Sequence, residues 1–233
     1  MDVEAAKRAA GEAAVQLIDD GVRVGLGTGS TVRWFILALA ERVRAGLRIR
    51  GVATSHASET LARDLSIPLE TLSAEPLDIA VDGADVVDSE LQLLKGGGGA
   101  LVREKIVACA ARRFVVVVDD TKLHAHLDAP VPVELLPFGV EHTLRLLEGT
   151  GGRFTVRTSP EGATLYTDNG NLLADGDYGR IDDPASLAQR IDGVPGVVGH
   201  GIFVGLTSLA LVGHDDGSVT RLTESRVHLP AGG

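Results

Sequence analysis

The 233-residue sequence is poor in several features that would define other classes of protein. It has one cysteine, Cys109, which excludes an intrachain disulfide framework and indicates a reducing compartment. Only 3% of residues are aromatic and the net charge is −10, so both stacking on nucleic-acid bases and contacts with a phosphate backbone are disfavoured. No apolar run reaches the roughly 18 residues of a membrane span, and no apolar signal-peptide core opens the chain. We therefore expect a cytoplasmic protein without nucleic-acid or membrane partners.

The hydrophobic pattern of the first half of the chain alternates between amphipathic helices and short apolar strands. Helices are expected at residues 3–18, 32–43, 58–65 and 100–112, and strands at residues 22–26, 49–53, 68–72, 78–81 and 114–118. This alternation is typical of an α/β fold with a parallel sheet. On the last of these helices, we expect Cys109 to be buried in the core beside Val102, Ile106 and Ala110.

The pattern changes after residue 128, where prolines at positions 130, 132 and 137 are expected to break regular structure. Beyond them, helices at 139–148 and 184–191 and strands at 153–157, 164–167 and 171–174 are expected. Hairpins around helices predict a small α+β domain over residues 129–205. Strands at 208–212 and 219–222 then return to the first domain. The expected organisation is a core of residues 1–128 and 206–233 with residues 129–205 inserted.

Residues 81–108 concentrate chemically active side chains. Asp82 and Asp85 follow a predicted strand, and Lys95 precedes four consecutive glycines at residues 96–99. Glycines allow a ligand to approach the backbone, and N–H groups at the start of a helix suit an anion or a developing oxyanion. This stretch therefore predicts a binding site for a negatively charged group beside two carboxylates.

Glu104 lies in the helix that follows these glycines. It shares a helix face with Leu101, Val107 and Ala108, which are all apolar. Desolvation disfavours the charged form of a carboxylate, so Glu104 should accept protons more readily than a solvated glutamate. The position therefore predicts a general base.

A second glycine-rich segment, GLGTGST at residues 25–31, joins a predicted strand to a predicted helix. Backbone N–H groups, the helix dipole and the hydroxyl side chains make this turn a phosphate cradle. A dinucleotide site is disfavoured, because the third glycine of the G-x-G-x-x-G fingerprint is missing and no acidic residue ends the next strand. No nucleotide cofactor is therefore expected.

Polar groups follow three of the predicted parallel strands. The strand ends carry the cradle at 25–31, the aspartates Asp82 and Asp85, and the segment DDTK at residues 119–122. Carboxyl ends of parallel strands meet at one sheet edge, where α/β proteins bind ligands. The neighbouring histidines, His124 and His126, match no zinc-binding spacing, so no metal is expected.

The order and spacing of these motifs resemble the A-type ribose-5-phosphate isomerases, which interconvert ribose 5-phosphate and ribulose 5-phosphate. The matching segments cover nearly the whole chain: GLGTGST (25–31), DGAD (82–85), KGGGGALVREK (95–105), DDTK (119–122), PVPVELLP (130–137) and TDNGN (167–171). The resemblance implies a Rossmann-like parallel-sheet core with an inserted α+β domain that supplies oligomer contacts. It also implies a homodimer or homotetramer with no metal or nucleotide cofactor.

The resemblance further implies roles in binding and converting a small sugar phosphate. Glu104 would be the general base, and Lys95, Asp82 and Asp85 would be the other catalytic groups. Residues 28–31 would hold the phosphate, with Lys122 and Lys7. The full set of expected substrate-binding residues is Thr28, Gly29, Ser30, Thr31, Asp82, Gly83, Ala84, Asp85, Lys95, Gly96, Gly97, Gly98, Lys122 and Lys7.

The chemistry of aldose–ketose isomerisation agrees with these residue types. A proton moves between adjacent carbons through an enediolate, so the reaction needs a carboxylate base, a donor for the charged oxygens and a grip on the remote phosphate. Glu104 fits the first role, and Lys95 with the glycine-loop N–H groups fits the second. Ser30 and Thr31 fit the third. Asp85 is suited to opening the furanose ring by proton transfer, and Asp82 is the second candidate for that step.

Two other classes of function stay open at this point. A sugar-phosphate sensor would keep the cradle at 28–31 but has no need of Glu104, Lys95 and both aspartates, and the sequence has no helix-turn-helix or basic segment. An enzyme acting on acyl groups or coenzyme A would require a nucleophilic glutamate and a larger pocket. Binding of sugar phosphate without turnover would favour the sensor, and turnover of acyl-coenzyme A would favour the second enzyme.

Overall fold

The computed structural model describes residues 2–223. Met1 and residues 224–233, which belong to the predicted core ranges, lie outside the described residues. The chain first forms α1 (Val3–Val15), β1 (Val22–Leu26), α2 (Ser30–Arg44), β2 (Ile49–Ala53), α3 (His56–Asp64), β3 (Ile79–Asp82), β4 (Val86–Val87), β5 (Leu93–Leu94), α4 (Leu101–Ala110) and β6 (Phe114–Asp119). It continues with β7 (Val131–Leu135), α5 (Val140–Glu148), β8 (Arg153–Val156), β9 (Leu172–Asp177), α6 (Pro184–Asp192), β10 (Val197–His200), β11 (Ile202–Phe203), β12 (Leu209–Gly213) and β13 (Val219–Leu222).

The main sheet has six strands in the order β13, β12, β6, β3, β1, β2. Neighbours from β12 to β2 run parallel, and β13 joins β12 antiparallel at the edge. The predicted α/β fold class is therefore confirmed. Because parallel strands end at the same edge of a sheet, Leu26, Asp82 and Asp119 close their strands on one side.

Helices cover both faces of this sheet, and β6 shows why its sequence is apolar throughout. Val115 and Val117 pack in the cluster formed with α1 and α2. Val116 and Val118 pack in the opposite cluster, which contains Val107 of α4.

Among residues 2–223, no helix combines the length and apolar character needed to span a bilayer.

A second sheet is formed by β10, β7, β9 and β8 in that order, with all neighbours antiparallel. Side chains from α5 and α6, such as Leu147 and Ile191, pack against it. A small antiparallel sheet is formed by β4 and β5, which lie between β3 and β6 in the chain, and by β11, which lies between β10 and β12. Here the N–H of Lys95 donates to the carbonyl of Gly201 at 2.8 Å, so the chain returning from the second sheet holds the backbone of Lys95.

The predicted strand at residues 68–72 is wrong. Only Leu69 forms an isolated bridge to β2. Beyond it the chain turns around the buried guanidinium of Arg23, which donates to the Glu70 carboxylate and to the carbonyl of Glu75. This long-range contact draws the segment away from the sheet edge.

The predicted strand at residues 164–167 is also wrong. Turns at 159–162 and 167–170 each close with a backbone hydrogen bond and lie only a few residues apart. The chain between them therefore has room for isolated bridges at Thr164 and Tyr166 and not for a strand.

The prolines at positions 130 and 132 do not end regular structure, contrary to the prediction. Val131–Leu135 form β7, an interior strand of the second sheet. The carbonyl of Pro132 accepts from Gly201 at 2.7 Å on the β10 side, where the paired residues end at Val133. The missing N–H of Pro132 therefore falls beyond the β10 ladder and removes no bond from it.

The prediction that Cys109 is buried is wrong as well, because its side chain is exposed. The buried face of α4 is formed by Leu101, Glu104, Val107 and Ala108. Cys109 and Ile106, which is 51% exposed, lie outside that face. Because α4 is apolar on nearly all sides, helical periodicity alone did not distinguish its inner from its outer face.

Candidate active site

Asp82 ends β3 and is almost fully buried at the edge where the parallel strands end. Its Oδ1 accepts hydrogen bonds from the N–H groups of Thr28 at 3.0 Å and Gly83 at 2.7 Å. Gly27 passes so close to this carboxylate that a Cβ there would overlap it. The turn after β1 therefore requires glycine at position 27, and the N–H groups of Thr28 and Gly83 together fix the Asp82 carboxylate.

Lys95 stands between Asp82 and a second carboxylate, that of Glu104. Its Nζ lies 3.2 Å from Asp82 Oδ2 and 3.3 Å from Glu104 Oε2, and it donates to the carbonyl of Gly83. The three side chains are only 2–6% exposed. Among the described residues, neither of these carboxylate oxygens has a partner with hydrogen-bond geometry, so charge attraction holds them. One buried ammonium thus serves two carboxylates.

This environment separates the proton affinities of the three groups. The pKa of Glu104 is raised to about 8, first by burial and then by the negative charge of Asp82, although Lys95 opposes both. Burial also raises the pKa of Asp82. Burial lowers the pKa of Lys95, but the two carboxylates outweigh it and that pKa lies above its usual value. Glu104 is therefore the group able to exchange protons near neutral pH, beside a permanent positive charge.

The glycine run forms a tight loop between Lys95 and α4. Gly96 and Gly99 have φ values of 107° and 79°, which glycine adopts without strain, and Gly99 N–H donates to the carbonyl of Gly96 at 3.0 Å. Gly97 donates its N–H to Asp85 Oδ2 at 2.8 Å, and a Cβ on Gly97 would lie 2.7 Å from Asp85 Oδ1. The loop therefore fixes the exposed Asp85 carboxylate at the rim of the site.

The turn between β1 and α2 provides a cradle for an anion. Gly29 precedes α2 with a φ of 116°, and Ser30 and Thr31 are the first residues of the helix. The free N–H groups and the dipole of a first helical turn attract negative charge. Lys7 of α1 and Lys122, at the end of a short 3-10 helix, line the same cavity. Two ammonium groups and a helix start are a suitable set of donors for a phosphate.

The side chain of Thr28 takes part in a hydroxyl network. Its Oγ1 lies 2.8 Å from Thr54 Oγ1 and 2.8 Å from Ser55 Oγ, and 3.2 Å from Ser58 Oγ. Ser58 in turn donates to the carbonyl of Gly27 at 2.6 Å. Thr28 therefore ties the cradle to the segment joining β2 and α3, and direct contact with a ligand stays a prediction.

A cavity of about 160 Å³ collects these groups. Its lining includes Lys7, Thr28, Gly29, Ser30, Thr31, Gly83, Ala84, Asp85, Lys95, Gly96, Gly97, Gly98, Glu104, Asp119 and Lys122. The structure thus places every predicted site residue around one cavity except Asp82, which contacts Lys95 instead. Asp119, which is not among the predicted site residues, also lines the cavity.

Asp119 ends β6 in the way that Asp82 ends β3. It is 1% exposed; its Oδ1 accepts from the N–H of Thr121 at 3.1 Å, while Oδ2 has no hydrogen-bond partner within the described part of the chain. An acidic residue at the carboxyl end of a buried parallel strand was the signal that identified Asp82. The same signal is present at Asp119 and would have identified it from the sequence.

The histidines near this edge form pairs with acidic residues. His124 Nδ1 lies 2.6 Å from Asp128 Oδ1, and His214 Nδ1 lies 3.6 Å from Asp120 Oδ2. Within residues 2–223, no group of three or more histidine, cysteine, aspartate or glutamate side chains is placed to hold a metal ion.

The segment TDNGN at residues 167–171 is organised by the fully buried Glu134. Glu134 Oε1 accepts hydrogen bonds from Thr167 Oγ1 at 3.1 Å, Asn169 Nδ2 at 3.0 Å and Asn171 Nδ2 at 2.7 Å. The loop so formed presents Asp168, whose Oδ2 accepts from the N–H of His56 at the start of α3 at 2.7 Å. This motif therefore joins the second sheet to the main sheet beside the hydroxyl network.

The fold and the site together define an α/β enzyme with acid–base chemistry next to an anion cradle. A model of the ribose 5-phosphate isomerase A (phosphoriboisomerase A) family matches residues 50–217. The chain belongs to the ribose 5-phosphate isomerase A family. The resemblance found in the sequence motifs is thereby confirmed.

Relatives and solved structures match along nearly the whole chain. Ribose-5-phosphate isomerase A of Methanosarcina acetivorans is 48% identical, with 94% of this chain and 95% of the relative covered. The enzyme of Natronomonas pharaonis is 49% identical over 92% and 95% of the two chains. The structure of ribose 5-phosphate isomerase A from Methanocaldococcus jannaschii superposes with a TM-score of 0.89 at 40% identity, covering 93% of this chain and 97% of that one.

Replacing Glu104 with glutamine is expected to stabilise the fold at high pH. The folded-state pKa of Glu104, about 8, lies above its ordinary value of 4.5, so ionisation of Glu104 opposes folding. The stability contributed by the protonated group is complete below pH 4.5 and is lost as the pH rises through about 8. The E104Q variant should therefore melt a few degrees above the native chain at about pH 9, since roughly 1 kcal/mol moves the melting temperature of such a protein by about 2–4 °C.

Thermal unfolding of both proteins across this pH range measures the difference. The exposed Glu148, at the end of α5, provides a matched control. Glu148→Gln should track the native melting temperature at each pH. A Glu104→Gln variant that melts at or below the native temperature at about pH 9 would contradict the assigned electrostatics.

Proposed function

We propose that this chain interconverts D-ribose 5-phosphate and D-ribulose 5-phosphate, a reaction of the non-oxidative pentose phosphate pathway. One observation carries the proposal: the buried cluster of Glu104, Lys95 and Asp82 adjoins a cavity that also contains an anion cradle. An isomerase of phosphorylated sugars needs a base and a grip on phosphate in one cavity. Family membership and similarity along nearly the whole chain support this choice of substrate.

The proton transfer is assigned to Glu104. In the ring-opened aldose, the Glu104 carboxylate removes the proton on C2, and the electron pair moves to the C1 carbonyl oxygen to give an enediolate. The hydroxyl proton passes from O2 to O1, and protonated Glu104 returns its proton to C1 to form the ketose. Glu104 is regenerated as a carboxylate, and the reaction neither consumes nor releases a proton overall.

Lys95 is assigned to stabilise the enediolate. Its pKa lies above the usual value, so the ammonium stays charged throughout the neutral range. Asp82 is bound by two backbone N–H groups and holds Lys95 in place from the buried side. A fixed charge in a water-poor site acts strongly on an oxyanion and needs no reorganisation during the reaction.

Ring opening is assigned to Asp85 in preference to Asp82. The carboxylate of Asp85 is exposed at the cavity and is oriented by the N–H of Gly97. The carboxylate of Asp82 is buried and already engaged with Lys95. Of the two, Asp85 is therefore the one accessible to the hydroxyl of a bound furanose.

The phosphate is assigned to the start of α2, with Ser30, Thr31, Lys7 and Lys122 as its ligands. A solved D-ribose-5-phosphate isomerase in complex with phospho-erythronic acid is 37% identical to this chain and superposes with a TM-score of 0.91, covering 96% of this chain and all of that one. A sugar acid bearing a phosphate has the two anionic ends that the cradle and Lys95 would bind here. That complex supports a substrate with a phosphate at one end.

The first test is turnover of ribose 5-phosphate by the purified chain in excess EDTA without nucleotide. Glu104→Gln should lower the rate by a factor of roughly 10² to 10⁴, the usual contribution of a positioned base, while inorganic phosphate still binds. The Glu148→Gln control should keep the native rate. Near-native turnover by the Glu104 variant would exclude it as the base, and tight binding of sugar phosphate without turnover by the native chain would favour a sensor.

The pH dependence of kcat/KM gives an independent test of the base. Because Glu104 must be ionised to accept a proton, kcat/KM should rise with pH through about 8 and then level off. In Asp82→Asn the rise should move to lower pH, since the charge of Asp82 is the second cause of the raised pKa of Glu104. A profile that stays flat between about pH 6 and about pH 9 would contradict the assignment.

We further propose that the chain works in the cytoplasm as a homodimer or homotetramer, with residues 129–205 as an inserted domain. An apolar surface on the outer side of α4 supports the assembly: Ile106 is 51% and Val198 39% exposed beside Cys109, around a cavity of about 510 Å³.

Light scattering in solution should give a mass of two or four chains. A single-chain mass at enzyme concentrations that show full activity would contradict the proposed assembly.

A further inference from the structure

An arginine of the second sheet reaches the glycine loop of the site. Arg157 follows β8, and its Nη1 donates to the carbonyl oxygens of Gly96 at 2.8 Å and Gly97 at 3.1 Å. Asp175 of β9 holds the other side of the guanidinium, accepting from Nε at 2.6 Å and from Nη2 at 2.5 Å. The Arg157 side chain is only 18% exposed. A bidentate pair of this kind fixes both the position and the plane of the guanidinium.

The two carbonyl contacts determine where the loop's N–H groups point. In a planar trans peptide, the C=O and N–H groups point in opposite directions. Because Arg157 holds the carbonyls of Gly96 and Gly97, the N–H groups of Gly97 and Gly98 must face away from it. The hydrogen bond from Gly97 N–H to Asp85 Oδ2 shows this orientation for the first peptide. The second peptide directs its N–H away from Arg157 in the same way, and Gly98 itself lines the cavity of Glu104.

Arg157 also polarises these two peptides. A cation bound to a carbonyl oxygen draws electron density from the peptide, and hydrogen bonds linked in this way strengthen one another. The N–H groups of Gly97 and Gly98 therefore become stronger donors to negative charge. Four successive glycines would otherwise have many accessible backbone conformations. The only hydrogen bond inside the loop among the described residues, from Gly99 N–H to the carbonyl of Gly96, leaves the peptide between Gly97 and Gly98 to be oriented by Arg157.

We infer that Arg157, held by Asp175, is a positioning residue for the isomerase reaction, orienting the N–H groups of Gly97 and Gly98 toward Asp85 and the reacting oxygens. Arg157 lines a neighbouring cavity of about 430 Å³ and acts on the substrate through the loop. The inference rests on the proposed function. It gives the second sheet a part in catalysis, because the residue after β8 supplies the charge that orders a loop of the main unit, and β9 fixes that charge.

Arg157→Met, which keeps much of the length of the side chain without its charge or donors, is the direct test. Removing one oxyanion donor typically lowers kcat by roughly 10²–10³, and here donors are misdirected instead of removed, so a fall of about 10- to 100-fold is expected. KM for ribose 5-phosphate and the inhibition constant of inorganic phosphate should stay within about twofold, because the cradle is untouched. The inhibition constant of phospho-erythronic acid, whose carboxylate places negative charge at the reacting end, should rise about tenfold.

The same strand pair offers a matched control. Arg153 of β8 forms an exposed ion pair with Asp177 of β9, with Nη2 and Oδ2 3.3 Å apart, and its side chain is 90% exposed. Arg153→Met removes the same charge four residues away and should leave kcat, KM and the inhibition constants of phosphate and phospho-erythronic acid unchanged. Asp175→Asn keeps Arg157 but weakens its orientation, so it should give a smaller fall in kcat, and combining it with Arg157→Met should add little.

The outcomes separate this inference from the proposed function. A native chain without isomerase activity overturns the proposed function itself. With an active native chain, the inference is overturned if kcat of Arg157→Met stays within about twofold of native, if Arg153→Met loses as much, or if phosphate affinity falls as far as kcat does. Should Arg157→Met fail to fold in circular dichroism, Arg157→Lys and Asp175→Asn carry the same test, and native kcat in both overturns the inference.

Discussion

A single buried ammonium shared by two carboxylates is the constraint on which the site depends. The single charge of Lys95 cannot neutralise both Asp82 and Glu104, and all three side chains are buried away from solvent. Backbone groups compensate in part: the N–H groups of Thr28, after β1, and of Gly83, after β3, donate to Asp82, and the carbonyl of Gly83 accepts from Lys95. Of the two carboxylates, Glu104 has the fewer hydrogen-bond donors, so its negative charge is the less compensated and its pKa is raised. A raised pKa allows this carboxylate to take up and release a proton near neutral pH.

The main sheet and the second sheet contribute different things to this site. The main unit delivers the charged side chains: Asp82 ends the parallel strand β3, Lys95 follows β5, and Glu104 lies in the first turn of α4. The second unit fixes the backbone of the main unit. The carbonyl of Gly201 accepts from the N–H of Lys95, and the carboxylate of Asp168 accepts from the N–H of His56 at the start of α3. Neither contribution is sufficient by itself, since charged groups on glycine-rich loops have no fixed direction without partners.

Much of the site was accessible from sequence because its chemistry is local. Asp82, Lys95 and Glu104 each lie in a short motif next to a strongly apolar strand or helix, and the bounds of β1 and β2 follow from their apolar runs. The failures have non-local causes. The segment after Leu69 bends around a guanidinium from β1, and α4 is apolar on sides that only tertiary packing distinguishes. The contact of Arg157 with the glycine loop joins two distant parts of the chain, so no pattern in the local sequence predicts it.

The order of strands in the main sheet has a consequence for how the protein is made. The strand β6, which ends in Asp119 beside the cavity, lies between β3 and β12. In the chain, however, the whole second sheet separates β6 from β12. During synthesis β6 therefore remains an open edge while the antiparallel unit emerges, and unpaired edges of this kind promote association between nascent chains. The edge of β6 beside the cavity is paired only when β12 has been synthesised. The period in which this edge can aggregate therefore coincides with translation of the second sheet.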